Sequence, residues 1–538
     1  FSQGRYELRG AVTQAEKMGK KGAAAPSDGP DPHIAHGQEL LDAGRLRDAL
    51  ACFDKALAVA PSSQNAWYLR GVAAAEVWEQ SDRSVSGKER MALLRLAWDS
   101  FSKVFKLDTS ARSENLYLAS LACAQLLTKA AGELESELDS DQRSEGIRHV
   151  VQALAQAQTC FAQAQSLHEQ WGHAALDSHS LGSWGEATSL QMRLEIANLQ
   201  APTPCSSALS ATAALQVVLT PCKMASQRFA AAASAPADTD ELADADSESD
   251  TRWLTLHTEH LLAFVDFACQ TLKAAGGTSG PAAVAPPGLS AEDATAFAAA
   301  AEAAWNEAAE LSHALMCLTS GGANEWEPLA LHADVLAAGA GLLGIVTPHA
   351  PGTVLTLPGG AQQPGNAVAP ASELVQAEAM ASDLAAPGTR VGELEALALA
   401  DAAFAAALAC GGRQSAGTVG LAAGDMMLER ARLLRSLGRA EEEVTECLKR
   451  AATAFENVAG LEGEAEADPE DFRATAWYNL ACVAGLLGRA DRTAHAMKMC
   501  LGRVSKANRR GWISEACADV DLRSVVNHPE VQEILAKA

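Results

Sequence analysis

Residues 33–71, HIAHGQELLDAGRLRDALACFDKALAVAPSSQNAWYLRG, determine the fold class of this chain. Gly37, Ala49 and Ala56 are small residues, spaced so that two antiparallel helices can approach each other closely. Phe53 lies between them in sequence and is predicted to fill the space between this helix pair and the next one. The stretch therefore predicts a helix–turn–helix unit.

A second unit begins directly after the first. Pro61 ends the first unit, because proline cannot continue the hydrogen bonding of a helix. Trp67 then opens the next helix, and Gly71 follows as Gly37 does in the first unit. These positions resemble the tetratricopeptide repeat family, whose unit is a helix–turn–helix of about 34 residues. The resemblance implies a solenoid of stacked helix pairs.

The second unit contains an insertion. Ala97 and Phe101 take the places that Ala49 and Phe53 have in the first unit, but a longer segment precedes them. The polar residues 81–87 account for part of this insertion. A longer connection at a helix turn is tolerated because loop closure entropy grows slowly with loop length.

The repeat pattern returns near the C-terminus. A helix pair is predicted at 421–437 and 441–458 with Gly438 at the turn, and a second unit opens at Trp477 with Gly488 at its turn. The tail, with Asp519-Val-Asp-Leu522 and His528-Pro-Glu-Val531, is predicted to close the array, because a terminal repeat has no neighbour to cover its outer face.

We therefore predict an all-α chain, a tetratricopeptide-like helix–turn–helix repeat solenoid (superhelix) with long disordered insertions. Its predicted segments are a flexible N-terminal segment at 1–32, N-terminal repeats at 33–170, degenerate helical repeats with Ala/Gly/Pro-rich and acidic linkers at 171–390, and C-terminal repeats with a closing segment at 391–538. Within the third segment, periodicity predicts helices near 184–199, 208–232, 251–274, 290–318 and 325–346. Composition predicts linkers at 200–207, 234–250, 275–289 and 347–371.

The charge of the chain limits its partners. It has 42 Lys and Arg against 67 Asp and Glu, a formal net charge of −25. Such a chain repels phosphate backbones, which argues against nucleic-acid binding and favours a basic protein client.

Cysteine usage and hydropathy bear on the compartment. The 12 cysteines are scattered without a Cys-x-x-Cys pair, and several, such as Cys52, Cys123, Cys160 and Cys482, lie in apolar helical stretches. This pattern predicts buried thiols in an intracellular reducing compartment. No apolar run reaches the ~20 residues that span a bilayer. The compartment is predicted as the cytoplasm, or as an organelle stroma or matrix if a targeting segment next to residues 1–32 was removed.

Several patterns have the spacing of a catalytic, cofactor or metal site, but each lacks the neighbouring residues that such a site needs. Residues 339–344 have the G-x-G-x-x-G spacing of dinucleotide loops, but the preceding residues are helix-like rather than a strand. His257 and His260 have a metal-compatible spacing without further ligands, so they are predicted to face solvent, as are His168, His173 and His179. The alternating acids at 244–250 lack the glycine of a calcium loop and are read as a linker. We predict no catalytic residue, no cofactor and no metal.

The resemblance implies a partner-binding surface on the concave face, which first-helix residues line in this family. A peptide or a helix of a partner would bind there. Family members that dock heat-shock chaperones use Lys and Asn to hold a C-terminal carboxylate, but Ile34, Gln38 and Leu69 stand at those positions, which argues against such docking. The predicted concave-face residues are Ile34, Gln38, Leu41, Tyr68, Ala75, Tyr478 and Asn479.

The leading functional hypothesis is a non-enzymatic scaffold, adaptor or complex-assembly factor that binds protein, as a subunit or assembly chaperone of a larger complex. A second hypothesis is an organelle-targeted assembly chaperone of a photosynthetic or respiratory complex. An RNA-binding helical repeat protein and an enzyme with a site in the middle region rank below these, because the charge opposes the former and no motif supports the latter.

Overall fold

The chain folds into helices joined by turns and loops. The computed structural model describes residues 32–81, 87–107, 113–136, 143–172, 176–200, 211–234, 246–275, 291–319, 326–346, 393–461, 472–505 and 509–537, and these contain no β-strand. The helices of the N-terminal half are α1 Pro32–Asp42, α2 Leu46–Val59, α3 Gln64–Gln80, α4 Gly87–Leu107, α5 Glu114–Ser136, α6 Arg143–Gln170, α7 Ser178–Gln200 and α8 Ala211–Ser234. Those that follow are α9 Asp246–Ala275, α10 Ala291–Thr319, α11 Trp326–Val346, α12 Glu393–Ser415, α13 Thr418–Ser436, α14 Glu441–Ala459, α15 Phe472–Leu486, α16 Ala490–Arg503, α17 Arg509–Ala518 and α18 Pro529–Lys537.

One packing contact recurs between the two helices of a pair. A glycine of the first helix faces an aromatic ring of the second, and a Cβ built on Gly37 would lie only 2.5 Å from the Phe53 ring. Any larger residue would force the helices apart, since carbon atoms in contact prefer ~3.5–4.0 Å. The other pairs that share this contact are Gly71–Phe101, Gly185–Phe229 and Gly424–Phe455.

The turn between the two helices also recurs. Gly44, Gly438 and Gly488 have positive φ angles of 73°, 66° and 68°. In the first of these turns, the Gly44 amide donates to the Leu41 carbonyl at 2.9 Å, and the next amide donates to the Leu40 carbonyl at 2.8 Å. This is a Schellman turn, which satisfies the last carbonyls of the first helix and needs a residue that tolerates a left-handed conformation.

The helix pairs stack in a regular order. Within the first compact unit (residues 1–206 and 216–253), α1 contacts α3, α3 contacts α5, and α5 contacts α7. The even-numbered helices α2, α4 and α6 each pack against the odd-numbered helix that precedes them. Within the second unit (residues 207–215 and 254–538), α11, α13 and α15 repeat this order. Contacts of this kind between neighbouring repeats define a solenoid. The predicted all-α helical repeat solenoid is confirmed.

Several local expectations need correction or lie outside the described residues. Residues 246–250, predicted as part of an acidic linker, form the first turns of α9, where acidic residues favour the positive end of the helix dipole. Helix α12 was not predicted at all, because its alanine-rich sequence carries little periodic signal. The predicted linkers at 201–207, 235–245, 276–289 and 347–371, and the segment 1–31, lie outside the described residues. The division into four segments stays a prediction.

None of the described helices combines the length and the apolar composition needed to cross a membrane. The thiols of Cys52, Cys123, Cys160 and Cys482 are buried, as the sequence predicts.

Candidate partner-binding surface

The predicted surface residues of the first two repeats are largely inside the stack. Leu41, Tyr68 and Ala75 are buried, and Ile34 and Gln38 are half-buried. The Tyr68 ring lies 6.4 Å from the Phe101 ring, and burial raises the pKa of its hydroxyl, with nearby carboxylates adding to the effect. Ile34 packs against a small apolar cluster formed by Ala56, Leu57 and Ala66. Of these five residues, Ile34 and Gln38 offer side chains to a partner; their role stays a prediction.

At the other end of the chain, Tyr478 and Asn479 both lie on α15 and make defined polar contacts. The Asn479 amide Nδ2 donates to Asp425 Oδ1 on α13 at 2.7 Å. The Tyr478 hydroxyl donates to Asp519 Oδ2 at 2.9 Å, and its ring meets the Trp512 ring edge-on at 5.3 Å. Tyr478 is therefore covered by the chain's own C-terminal residues, whereas Asn479 remains half-exposed.

The residues that cover Tyr478 belong to Arg509–Ser524, which we call the tail segment. It crosses α15 so closely that a Cβ on Gly485 would lie 2.6 Å from the Asp521 carbonyl oxygen. Ser524 Oγ donates to the Gly485 carbonyl at 2.9 Å. Arg432 on α13 reaches the same segment, since its Nε and Nη2 donate to the two oxygens of Asp521. The tail segment thus bridges two successive odd-numbered helices.

Cys482, Asp519 and Asp521 form a compact group with metal-ligand chemistry, since one ligand atom of each lies within 4.8 Å of the others. These atoms already have partners, however. Asp521 is paired with Arg432, and Asp519 accepts from Tyr478 and from Cys482 Sγ at 3.5 Å. Burial and the two carboxylates raise the pKa of the Cys482 thiol well above its usual range. A neutral thiol and a carboxylate paired with arginine are poor metal ligands, so we assign no metal here. We call this hydrogen-bonded group, Cys482, Asp519 and Asp521 with their donors Tyr478 and Arg432, the clasp.

Exposed carboxylates line the odd-numbered helices of the second unit. They include Asp266 on α9, Asp334 on α11, and Asp425 and Glu429 on α13. We call the exposed side of α9, α11, α13 and α15 that carries them and Asn479 the odd-helix face. The spacing of four residues between Asp425 and Glu429 is readable in the sequence, but the proximity of Asp266 on α9 to Asp334 on α11 is not.

The electrostatics of these carboxylates indicate a concave surface. Asp334 and Asp425 reach solvent, yet the surrounding protein removes much of the water around each carboxylate. This desolvation, with Asp266 nearby, raises the pKa of Asp334 to about 7. Desolvation and Glu429, opposed by Arg432, raise the pKa of Asp425 to about 6. A carboxylate that is both exposed and desolvated lies in a hollow of the surface, where a nearby cation would favour its ionised form.

Of the five histidines that the sequence predicts to face solvent, two are buried and two are half-buried, and His173 lies outside the described residues. His257 and His260 are 2% and 1% exposed, so the prediction that they face solvent is wrong. His257 Nε2 lies 3.3 Å from Glu307 Oε1, and burial with His260 nearby lowers the pKa of His257 to about 4. His168 stacks on Tyr117 at 5.5 Å, and His179 lies 5.9 Å from the Trp253 ring. These rings pack between helices, which periodicity alone does not reveal.

Two further patterns have structural explanations. The glycine motif at 339–344 lies inside α11, and a Cβ on Gly339 would lie 2.5 Å from the Trp305 ring. Ser312 Oγ and His332 Nδ1 are 2.9 Å apart, the spacing of a nucleophile and its base, but both residues are fully buried. A substrate has no access to this pair, so it joins α10 to α11 rather than forming an active site.

Comparison with known proteins adds little. No protein-family model matches the chain, and no curated protein matches it. Among solved structures it is similar to a circular tandem repeat protein with novel repeat topology and enhanced subunit contact surfaces, at 13% sequence identity and a TM-score of 0.26, over 94% of this chain and 87% of that one. A TM-score this low carries no argument about function. The assignment to a helical repeat solenoid therefore rests on the helix contacts described above.

Proposed function

We propose that this protein is a non-enzymatic scaffold of the tetratricopeptide type that binds a basic segment of another protein on the odd-helix face. The observation that carries the proposal is a set of exposed carboxylates, Asp266, Asp334, Asp425 and Glu429, which we call the acidic row. Asp266 is close enough to Asp334 to help raise its pKa, α11 contacts α13, and Asp425 and Glu429 are one helical turn apart on α13. Lysine and arginine side chains of a partner would neutralise these carboxylates, and complementary charge speeds association and selects partners.

The tetratricopeptide assignment has its own support. The glycine–ring contacts Gly37–Phe53 and Gly424–Phe455 join the two helices of a pair. In both pairs a Schellman turn, at Gly44 and at Gly438, connects the first helix to the second. Helix pairs of this kind present their first helices to a ligand. Peptides and helices are the ligands that such grooves accept, and the acidic row favours those with several cations.

The wider role that fits is a subunit or assembly factor of a larger complex. An organelle-targeted assembly chaperone of a photosynthetic or respiratory complex is the second candidate, and a fluorescent reporter fused behind the full N-terminus would separate it from a cytoplasmic role. The net charge of −25 argues against an RNA ligand, because phosphate backbones would be repelled. A gel shift at physiological salt tests that alternative.

The direct test is affinity purification with mass spectrometry of co-purifying proteins. The test variant carries Asp334→Lys, Asp425→Lys and Glu429→Lys. The matched control reverses three exposed charges on α14, namely Glu443→Lys, Glu446→Lys and Glu456→Lys. We expect a specific partner with the wild type and the control, and its loss with the test variant.

A defined probe complements the purification. A synthetic Lys/Arg-rich peptide of about 20 residues should bind the wild-type chain with an affinity that falls steeply with salt. The test variant should bind it at least about 10-fold more weakly than the control variant does, a difference of about 1.4 kcal/mol. Equal binding by the two variants would place the interaction elsewhere, and a wild-type chain that purifies alone would count against a scaffold.

A further inference from the structure

The tail segment (Arg509–Ser524) lies on the surface that the odd-numbered helices would offer to a partner. It contacts α15 through Tyr478, Cys482 and Gly485, and α13 through Arg432. Tyr478 was expected to bind a partner, yet it is only 7% exposed because Trp512 and Asp519 cover it. The protein therefore already has an occupant at this end of the odd-helix face.

Helix α17 and the residues that follow Asp521 differ in how much of their apolar surface is buried. Leu522, Val525 and Val526, together with Val531 and Leu535 of α18, are buried in the core of the second unit. In α17, by contrast, Ala516 is the buried residue, and Trp512 and Ile513 are only partly covered. Segments with few buried apolar contacts open at low free energy without unfolding their neighbours. Helix α17 has few buried apolar contacts and is therefore expected to open at low free energy, while Leu522 and the residues after it stay anchored in the core.

Polar contacts hold α17 and its C-terminal end in place. Asp519 accepts the Tyr478 hydroxyl and caps the Asp521 amide at 2.8 Å. Asp521 accepts two hydrogen bonds from Arg432. The Arg432 side chain is 39% exposed and also forms an ion pair with Glu429. The Asp521 side chain is only 6% exposed, so solvent reaches this ion pair from the Arg432 side. An ion pair that is open on one side can be exchanged for another cation, unlike a buried apolar contact.

We propose that the tail segment is an intramolecular occupant of the odd-helix face, and that its residues 509–521 open locally, with Leu522 remaining anchored in the core, to admit a partner. Opening would expose the Tyr478 ring and release Asp519 and Asp521 from their internal donors. Both carboxylates would then extend the acidic row of α9, α11 and α13. The role of opening rests on the proposed function, since a cationic partner segment is what would replace Arg432 at Asp521 and bury the exposed ring.

Hydrogen exchange on the full chain tests the opening step without any partner. Amides of α17 (residues 509–518) should exchange faster than those of α15 and α16 in the wild type. Arg432→Gln and Tyr478→Phe each remove a donor to the tail segment and should speed exchange in α17 by about 5- to 30-fold, with α15 and α16 little changed. Arg435→Gln is the matched control, because Arg435 lies on the same helix but pairs with Glu441.

If α17 exchanges together with α15 and α16 in every variant, the tail segment is a fixed cap and not an opening element. If Tyr478→Phe and Arg432→Gln leave α17 at the rate of the Arg435→Gln control, the clasp does not hold it.

The Lys/Arg-rich peptide separates this inference from the proposed function. We expect it to bind Arg432→Gln at least about 3-fold more tightly than Arg435→Gln, although each variant lacks one positive charge. Equal affinities for the two variants would show that the tail segment does not control access. A peptide that binds no variant contradicts the proposed basic partner, and the exchange rates alone then decide whether the tail segment opens.

Discussion

The contact between Gly424 and the Phe455 ring can be tested by placing a methyl group in it. A Cβ at Gly424 would lie 2.4 Å from Phe455 Cε1 and 2.7 Å from Cδ1 and Cζ. Carbon atoms in contact prefer ~3.5–4.0 Å, so α13 and α14 would have to separate by about 1 Å. Phe455 is 0% exposed, which leaves its ring no open side to move into.

Two opposing effects set the size of the change in Gly424→Ala. Overpacking of this kind costs about 1–3 kcal/mol, while alanine in place of glycine inside a helix returns up to about 1 kcal/mol. Gly132 on α5 offers a matched control, because a Cβ there would meet no atom within 4 Å. Gly132→Ala should therefore stabilise its helix by about 0.5–1 kcal/mol, and Gly424→Ala should destabilise α13 and α14.

A double-mutant cycle with Phe455→Leu removes the helix-propensity contribution, since it is present in both alanine variants. We expect a coupling free energy of about 1–3 kcal/mol between the two sites, because the smaller side chain makes room for the methyl group. Hydrogen exchange of residues 418–459 measures the free energy of local opening, with α1 and α2 as an internal reference. Coupling below about 0.5 kcal/mol, or a stabilising Gly424→Ala, would refute the claim that this contact fixes the helix spacing.

Three further predictions concern the tail segment and two titrating side chains. Gly485→Ala should push the tail segment off α15, because its Cβ would lie 2.6 Å from the Asp521 carbonyl oxygen; faster exchange in residues 509–518 checks this, and unchanged exchange contradicts it. The pKa of Asp334 is raised to about 7, so the folded chain binds this proton more tightly and loses stability as pH rises from about 4 to 7. Asp334→Asn should accordingly raise the melting temperature at pH 8 but not at pH 4. The pKa of His257 is lowered to about 4, so stability is lost as pH falls from about 6.5 to 4, by about 3 kcal/mol at most; His257→Gln should flatten that loss in thermal melts, and an unaltered pH profile would contradict it.

The sequence determined the repeating element of the fold. The small residues Gly37, Ala49 and Ala56 predict two closely packed helices, and the structure has Gly37 in close contact with the second helix of its pair. The contact is made by the Phe53 ring, which the sequence predicts to fill the space before the next pair. Gly438 and Gly488 were placed at turns and have the left-handed conformation that such turns need. These features could be predicted because both partners of each contact lie within one repeat, so that helical periodicity fixes their relative positions.

In the middle of the chain, helical periodicity does not predict which residues are in contact. Gly185 and Phe229 make the same glycine–ring contact as Gly37 and Phe53, but the intervening segment is longer and no fixed offset links them. His257 and His260 were predicted to face solvent, because their spacing does not say which side of α9 is covered. Burial of these residues depends on α10, which packs against α9 through contacts such as Phe264–Phe297.

The candidate site was decided by tertiary structure. Tyr478 and Asn479 were correctly placed on a first helix, but the sequence did not show that Asp519 and Trp512 would fold back over Tyr478. Nor did it show that Asp266 on α9 lies near Asp334 on α11. The relative position of two helices that are far apart in sequence depends on how every helix pair between them packs. Local periodicity in the sequence does not give the combined effect of these packing arrangements. The sequence therefore determined the repeat, and the stacking of the repeats decided which charges and which tail residues meet.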